Sequence, residues 1–113
     1  MNARPYAVAR WAGDLYLLSG VVSASRALGL AEQAHDAYRQ VTQVLSDAGL
    51  QLTDVVSVTA YLRHAEDFEA YDAVWREAFP DDPPARTTIA AQLLVPDALV
   101  ELTVSAYAPS SGQ

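Results

Sequence analysis

Hydrophobic and polar positions in this chain switch between two periods. Val55 to Arg63 alternates with period two: Val56, Val58, Ala60 and Leu62 share one face, and Val55, Ser57, Thr59, Tyr61 and Arg63 the other. Leu30 to Ala48 instead repeats at three and four, with Leu30, Ala34, Ala37, Val41, Val44 and Leu45 forming one apolar stripe. The first pattern predicts a strand and the second a helix. Gly49 then supplies a helix stop, and Leu50 fits the apolar contact of a Schellman ending.

The remaining elements follow by the same reasoning. Tyr6 to Trp11 and Leu15 to Gly20 are strands joined by the turn Ala12-Gly13-Asp14, which predicts a hairpin. Val21 to Gly29 is read as irregular. A second helix runs from about Ala65 to Phe79, with Phe68, Tyr71, Val74, Trp75, Ala78 and Phe79 as its stripe. Pro80 to Pro84 ends it, because proline cannot continue a helix and forces its predecessor into an extended form. Arg86 to Leu93 and Leu99 to Ala108 are strands around a turn at Val95-Pro96-Asp97, and Pro109 to Gln113 is a loose tail. The order is β-β-α-β-α-β-β, an α+β fold in which two helices can cover only one face of the sheet.

The two faces of the sheet differ in composition. Val56, Val58, Ala60, Leu62, Val100, Leu102, Val104 and Ala106 are uniformly apolar and should meet the helices. Val55, Ser57, Thr59, Tyr61, Leu99, Glu101, Thr103, Ser105 and Tyr107 are mixed, too apolar for a solvated surface and too polar for a sealed core. Such a face suits burial against other subunits, so a homo-oligomer is expected.

Composition narrows the function. At 113 residues the chain has room for one core, so residues 1–113 are read as a single domain. The net charge is −7 and every cation is Arg, so lysine Schiff-base chemistry is excluded and nucleic acid is not an expected partner. Cys is absent, which excludes disulfides, a thiol nucleophile and thiolate-held metals. No apolar run is long enough to cross a membrane. Residues 1–5 carry no signal-peptide core, so a cytoplasmic location is expected. His35 and His64 have no partner at metal or triad spacing and are placed in solvent, and Ser23, Ser25 and Asp36 form no nucleophile motif.

Two charges fall inside apolar strands. Arg86 opens one after Pro83-Pro84-Ala85, and its planar fork is shaped to grip a carboxylate bidentately. Glu101 interrupts Leu99-Val100-Glu101-Leu102, where a charge is costly unless paired, wet or used. Each has a plainer reading. Arg86 could form a structural ion pair, and Glu101 could pair with Arg86 or Arg63. Tyr6 could pack an interface, and Thr88 could merely favour its strand.

Several pieces occur together in order: Pro5-Tyr6, Gly13, Ser19-Gly20, Asp54 to Leu62, Asp67-Phe68, Pro84-Ala85-Arg86-Thr87-Thr88 and Leu99 to Leu102. With them, nearly the whole chain resembles the RidA/YjgF/UK114-type family of reactive-intermediate imine deaminases. The resemblance implies a chorismate-mutase-like protomer in a homotrimer, with sheets inside, helices outside and sites at the subunit clefts. It implies that Arg86 holds the carboxylate of a 2-imino acid and Glu101 orients the hydrolytic water, with Tyr6, Ser19, Gly20 and Thr88 beside the substrate. It implies no metal or organic cofactor. An enamine or imine deaminase is thus expected; a trimer that only captures a carboxylate metabolite in the same cleft is the alternative. This chain departs from the family pattern in a shorter loop after Gly20, in Thr88 where Cys is frequent, in Gln40 for Asn, and in Asp72 and Trp75 where Asn and Tyr are common.

Overall fold

The computed structural model describes residues 4–109. The expected tail at 109–113 lies almost wholly outside them. Strands β1 (Ala9–Ala12), β2 (Leu15–Leu18) and β3 (Val21–Val22) precede helix α1 (Leu30–Asp47). Strand β4 (Val55–Leu62), helix α2 (Phe68–Ala78), β5 (Ala85–Ala90) and β6 (Val100–Tyr107) complete the order. All six strands join one mixed sheet in the order β1-β2-β6-β4-β5, with β3 also on β6. The β4–β5 pair is parallel, as a helical crossover between them requires, and the others are antiparallel.

Both helices lie on one face. Ala34, Ala37, Val41 and Leu45 of α1 and Tyr71, Val74 and Trp75 of α2 are buried with Val58, Ala60, Leu62, Val100, Leu102, Val104 and Ala106 of the sheet. The α1 stop is as expected: Gly49 has φ +80°, and the Leu50 N–H donates to the Leu45 carbonyl at 2.8 Å. No helix among the described residues is long and apolar enough to cross a membrane.

Three local readings need correction. Val56 does not face the helices. Between Val55 and Ser57 the register on β6 advances one residue fewer than on β4. This bulge resets the alternation, so Val55 is buried and Val56 turns outward. Val21 and Val22 are not irregular but pair with Leu102 and Glu101. The strand expected from Tyr6 begins only at Ala9, and the one expected to reach Leu93 ends at Ala90.

The segment after β5 is held by side chains rather than by the sheet. Arg63 donates from Nε to the Ala98 carbonyl at 2.7 Å and from Nη2 to the Val95 and Leu93 carbonyls at 2.9 and 3.1 Å. Gln33, fully buried on α1, donates to the carbonyls of Leu28 and Asp97 and accepts the Leu99 N–H at 2.9 Å. The sheet face away from the helices stays uncovered in the single chain, and exposes Leu15, Leu17, Ile89 and Tyr107.

Candidate functional site

The expected site residues fall into two groups. Tyr6, Ser19, Gly20 and Glu101 line one shallow cleft of about 320 Å³. Glu101 sits on β6 between Val22 of β3 and Tyr61 of β4, so its side chain leaves the sheet on the Tyr61 face, away from the helices. Ser19 and Gly20 form the break between β2 and β3, which both pair with β6. That break brings the backbone close to the Glu101 carboxylate: a Cβ built on Gly20 would collide with Oε2. Glycine thus permits this close approach to the carboxylate in its present position, and it is not here for an unusual φ.

Ser19 acts as a clasp. Its hydroxyl donates to the Ala7 carbonyl at 2.7 Å, and its N–H donates to the Val8 carbonyl at 2.9 Å. These bonds fix the segment ahead of β1 and so place Tyr6 at the cleft. Among the described residues no side chain pairs with the Glu101 carboxylate. The two structural partners considered for it are both engaged elsewhere, Arg63 by loop carbonyls and Arg86 by α2.

Arg86 belongs to the second group. It pairs in register with Val58, and Thr88 pairs with Ala60, so both project on the helix face of the edge strand β5. The Arg86 Nη1 donates to Asp72 Oδ1 at 2.6 Å, and the guanidinium carbon lies 5.0 Å from the Trp75 ring centroid and 5.4 Å from that of Phe68. Asp72 Oδ2 accepts from Arg76 Nε at 2.8 Å. The hydrogen bond from Arg86, then that from Arg76, hold the Asp72 carboxyl below its ordinary value. The Thr88 hydroxyl is buried and has no hydrogen-bond partner among the described residues.

Nothing in the sequence pattern assigns Asp72 a role, and Trp75 falls in the apolar stripe of α2. A usable signal was present: Phe68, Asp72 and Trp75 fall at i, i+4 and i+7, so they share one helix face. Behind that face the Tyr38 and Tyr71 hydroxyls meet at 2.7 Å in the core. Burial pushes the Tyr71 phenol up to about 12 and raises Tyr38 further, so both stay neutral.

A cavity of about 630 Å³ lies away from both groups, in an open groove between α1 and α2. His35 and Glu77 bridge the two helices there at 2.9 Å, so His35 has a partner that sequence spacing did not reveal. Ser23 and Asp36 also meet, at 3.1 Å, but Asp36 further accepts from the Ala24 N–H, Gln40 and Arg39, and the cluster ties the loop before α1 to the helix.

Two helices on one face of a mixed six-stranded sheet, with a carboxylate cleft at the β2–β3 break, define an α+β protein of chorismate-mutase-like architecture. The chain belongs to the family described as Endoribonuclease L-PSP, which it matches over residues 1–108. It is 30% identical over 109 residues to the 3-aminoacrylate deaminase RutC of Acinetobacter baylyi, spanning 91% of this chain and 86% of that one. It is 29% identical over 104 residues to a 2-iminobutanoate/2-iminopropanoate deaminase of Dermatophagoides farinae, spanning 87% and 81%. Among solved structures, a member of the YjgF/YER057c/UK114 family from Mycobacterium tuberculosis superposes with TM-score 0.84 at 28% identity, covering 91% of this chain and 86% of that one.

Proposed function

We propose that the protein hydrolyses enamine or imine derivatives of small 2-keto acids and releases ammonia. The observation that carries this reading is the Glu101 carboxylate, unpaired among the described residues and held against Gly20 in a cleft with Tyr6. A carboxylate kept out of ion pairs at a surface cleft is placed to orient a water and take its proton. The deaminases that this chain resembles make an imine the natural substrate class.

The reaction needs few parts. The water oxygen bonds to the carbon of the N-protonated imine as Glu101 accepts a water proton, the C=N π pair moves onto nitrogen, and Glu101 returns its proton to the resulting amine. The C–N bond then breaks, ammonia leaves and the carbon becomes the keto carbonyl. Arg86 would grip the substrate carboxylate through the nitrogens not engaged by Asp72, whereas the Thr88 hydroxyl is closed off within the single chain. A general base contributes about 10²–10⁴-fold, which is adequate because imines are intrinsically reactive.

Arg86 and Glu101 project on opposite faces of one protomer's sheet. The reading therefore joins the Glu101 cleft of one protomer to the β5 edge of the next, in a homotrimer that covers the exposed sheet face carrying Leu15, Leu17 and Tyr107. A ribonuclease role finds less support, since a chain of net charge −7 repels a polyphosphate.

The test couples an amino acid oxidase to semicarbazide trapping. Purified protein is expected to lower the semicarbazone signal by consuming the imine first, with loss of the effect in both Arg86→Ala and Glu101→Gln. An unchanged semicarbazone signal across a panel of amino acids would overturn the proposal.

A further inference from the structure

The chemistry above gives Asp72 no part, yet it is the closest charged group to Arg86. Its two oxygens are shared between Arg86 Nη1 at 2.6 Å and Arg76 Nε at 2.8 Å. The Asp72 and Arg86 side chains are mostly covered, at 18% and 26% exposure, whereas Arg76 is 77% exposed. Asp72, Trp75, Arg76 and Arg86 line a common cavity of about 330 Å³.

The electrostatics of this cavity differ from those of a lone arginine. A solitary guanidinium on an aromatic shelf attracts any carboxylate. Here the covered part is an ion pair, close to neutral as a unit, and the exposed Arg76 is screened by solvent. Arg86 Nε and Nη2 make no hydrogen bond among the described residues, so the fork keeps an edge for an anion. Beside that edge stands a carboxylate whose oxygens each accept one bond and can accept another. A bare monocarboxylate meets attraction from Arg86 and repulsion from Asp72. A ligand with a cationic nitrogen on the carbon next to its carboxylate meets a complementary charge at each end.

The geometry points to Asp72 as the specificity-determining residue of the Arg86 site, selecting ligands with a cationic nitrogen beside the carboxylate over bare carboxylates. This rests on reading Arg86 as the carboxylate anchor. A 2-imino acid protonated on nitrogen has that charge pattern and is also the form most open to attack by water. The keto-acid product has lost the nitrogen and keeps only the anion. Asp72 thus separates substrate from product by charge, and product departure is favoured without any movement of the fold. The residue takes no proton and forms no bond in the reaction.

The test compares 2-aminobutanoate, a stable stand-in for the charged imino acid, with 2-oxobutanoate, the matching keto acid. Binding of each is followed by calorimetry or ligand-detected NMR at neutral pH. The wild-type protein is expected to favour the amino acid, and Asp72→Asn, which keeps size and shape, to reverse the preference by roughly tenfold in each direction. Product inhibition by 2-oxobutanoate should strengthen in the same variant. Equal affinities in the wild type, or a preference unaltered by Asp72→Asn, would overturn the inference while leaving the anchor intact. Arg86→Ala separates the two ideas: loss of both ligands upholds the anchor, and binding of both unaffected by that change overturns the anchor and the selection together.

Discussion

Arg86 and Glu101 leave the same sheet on opposite sides. Arg86 stands in register with Val58, whose side chain is buried under the helices, and Glu101 with Tyr61, three residues further along β4. Side chains alternate across a strand, so an odd separation puts the two on opposite faces. One protomer therefore keeps the two groups of candidate residues apart, one on the β5 edge and one at the β2–β3 break.

The proposed joining of Arg86 from one protomer with Glu101 from another predicts complementation. Arg86→Ala and Glu101→Gln should each be inactive, but a denatured and co-refolded one-to-one mixture should recover activity. Random assembly leaves about a quarter of the clefts with both native groups. Imine consumption in the trapping assay measures the recovery; a mixture as inactive as its parents would place both residues in a single-chain site or in none.

Gly20 predicts an effect on activity with little effect on stability. A Cβ at this position meets the far end of the Glu101 side chain, which can swing aside at small cost. Gly20→Ala is thus expected to displace the carboxylate and lower turnover by about 10²-fold, within the range a misplaced general base forfeits, with a nearly unchanged Tm. Full turnover in this variant would show that the carboxylate's position against Gly20 is unimportant.

Gln33 predicts a loss of stability. It is fully buried and bonds the Leu28 and Asp97 carbonyls and the Leu99 N–H. Gln33→Leu removes the partner of these part-buried groups, at a cost of about 1–3 kcal/mol. Urea unfolding of the two proteins gives the difference; a midpoint like the wild type's would mean that the loop finds other partners.

Asp36 predicts acid sensitivity. The Ala24 N–H, followed by the Gln40 amide, lowers its carboxyl from 3.8 to about 2. A group depressed in the folded state adds stability that is fully present above its unfolded value and is lost as pH falls through the folded one. The loss should therefore run from about pH 4 down to about pH 2, and Asp36→Asn should flatten that part of a Tm-against-pH curve. Asp72 shifts in the same sense and keeps some slope in the variant. A wild-type curve flat over this interval would contradict the assignment.

Much of this was legible from residue order. The α1 stripe, its Gly49 stop and the alternation of β4 and β6 were readable because helix and strand periods depend on near neighbours. The β4 bulge was not, since an extra residue shows only against the partner strand that lacks it. Nor was β3, because two valines make a strand only where β6 offers them bonds. The Arg86–Asp72 pair joins residues 14 apart in sequence, and nothing local marks one as the other's partner.

By itself, then, the sequence determined the α+β class and most of the core face, since these follow from periods of two and 3.6, and it offered candidate residues for chemistry. Only the tertiary structure decided which of those residues share a cleft. It set Tyr6, Ser19, Gly20 and Glu101 together and turned Arg86 onto Asp72 and Trp75. The physical reason is that strand register and helix crossover, not distance along the chain, fix which side chains meet.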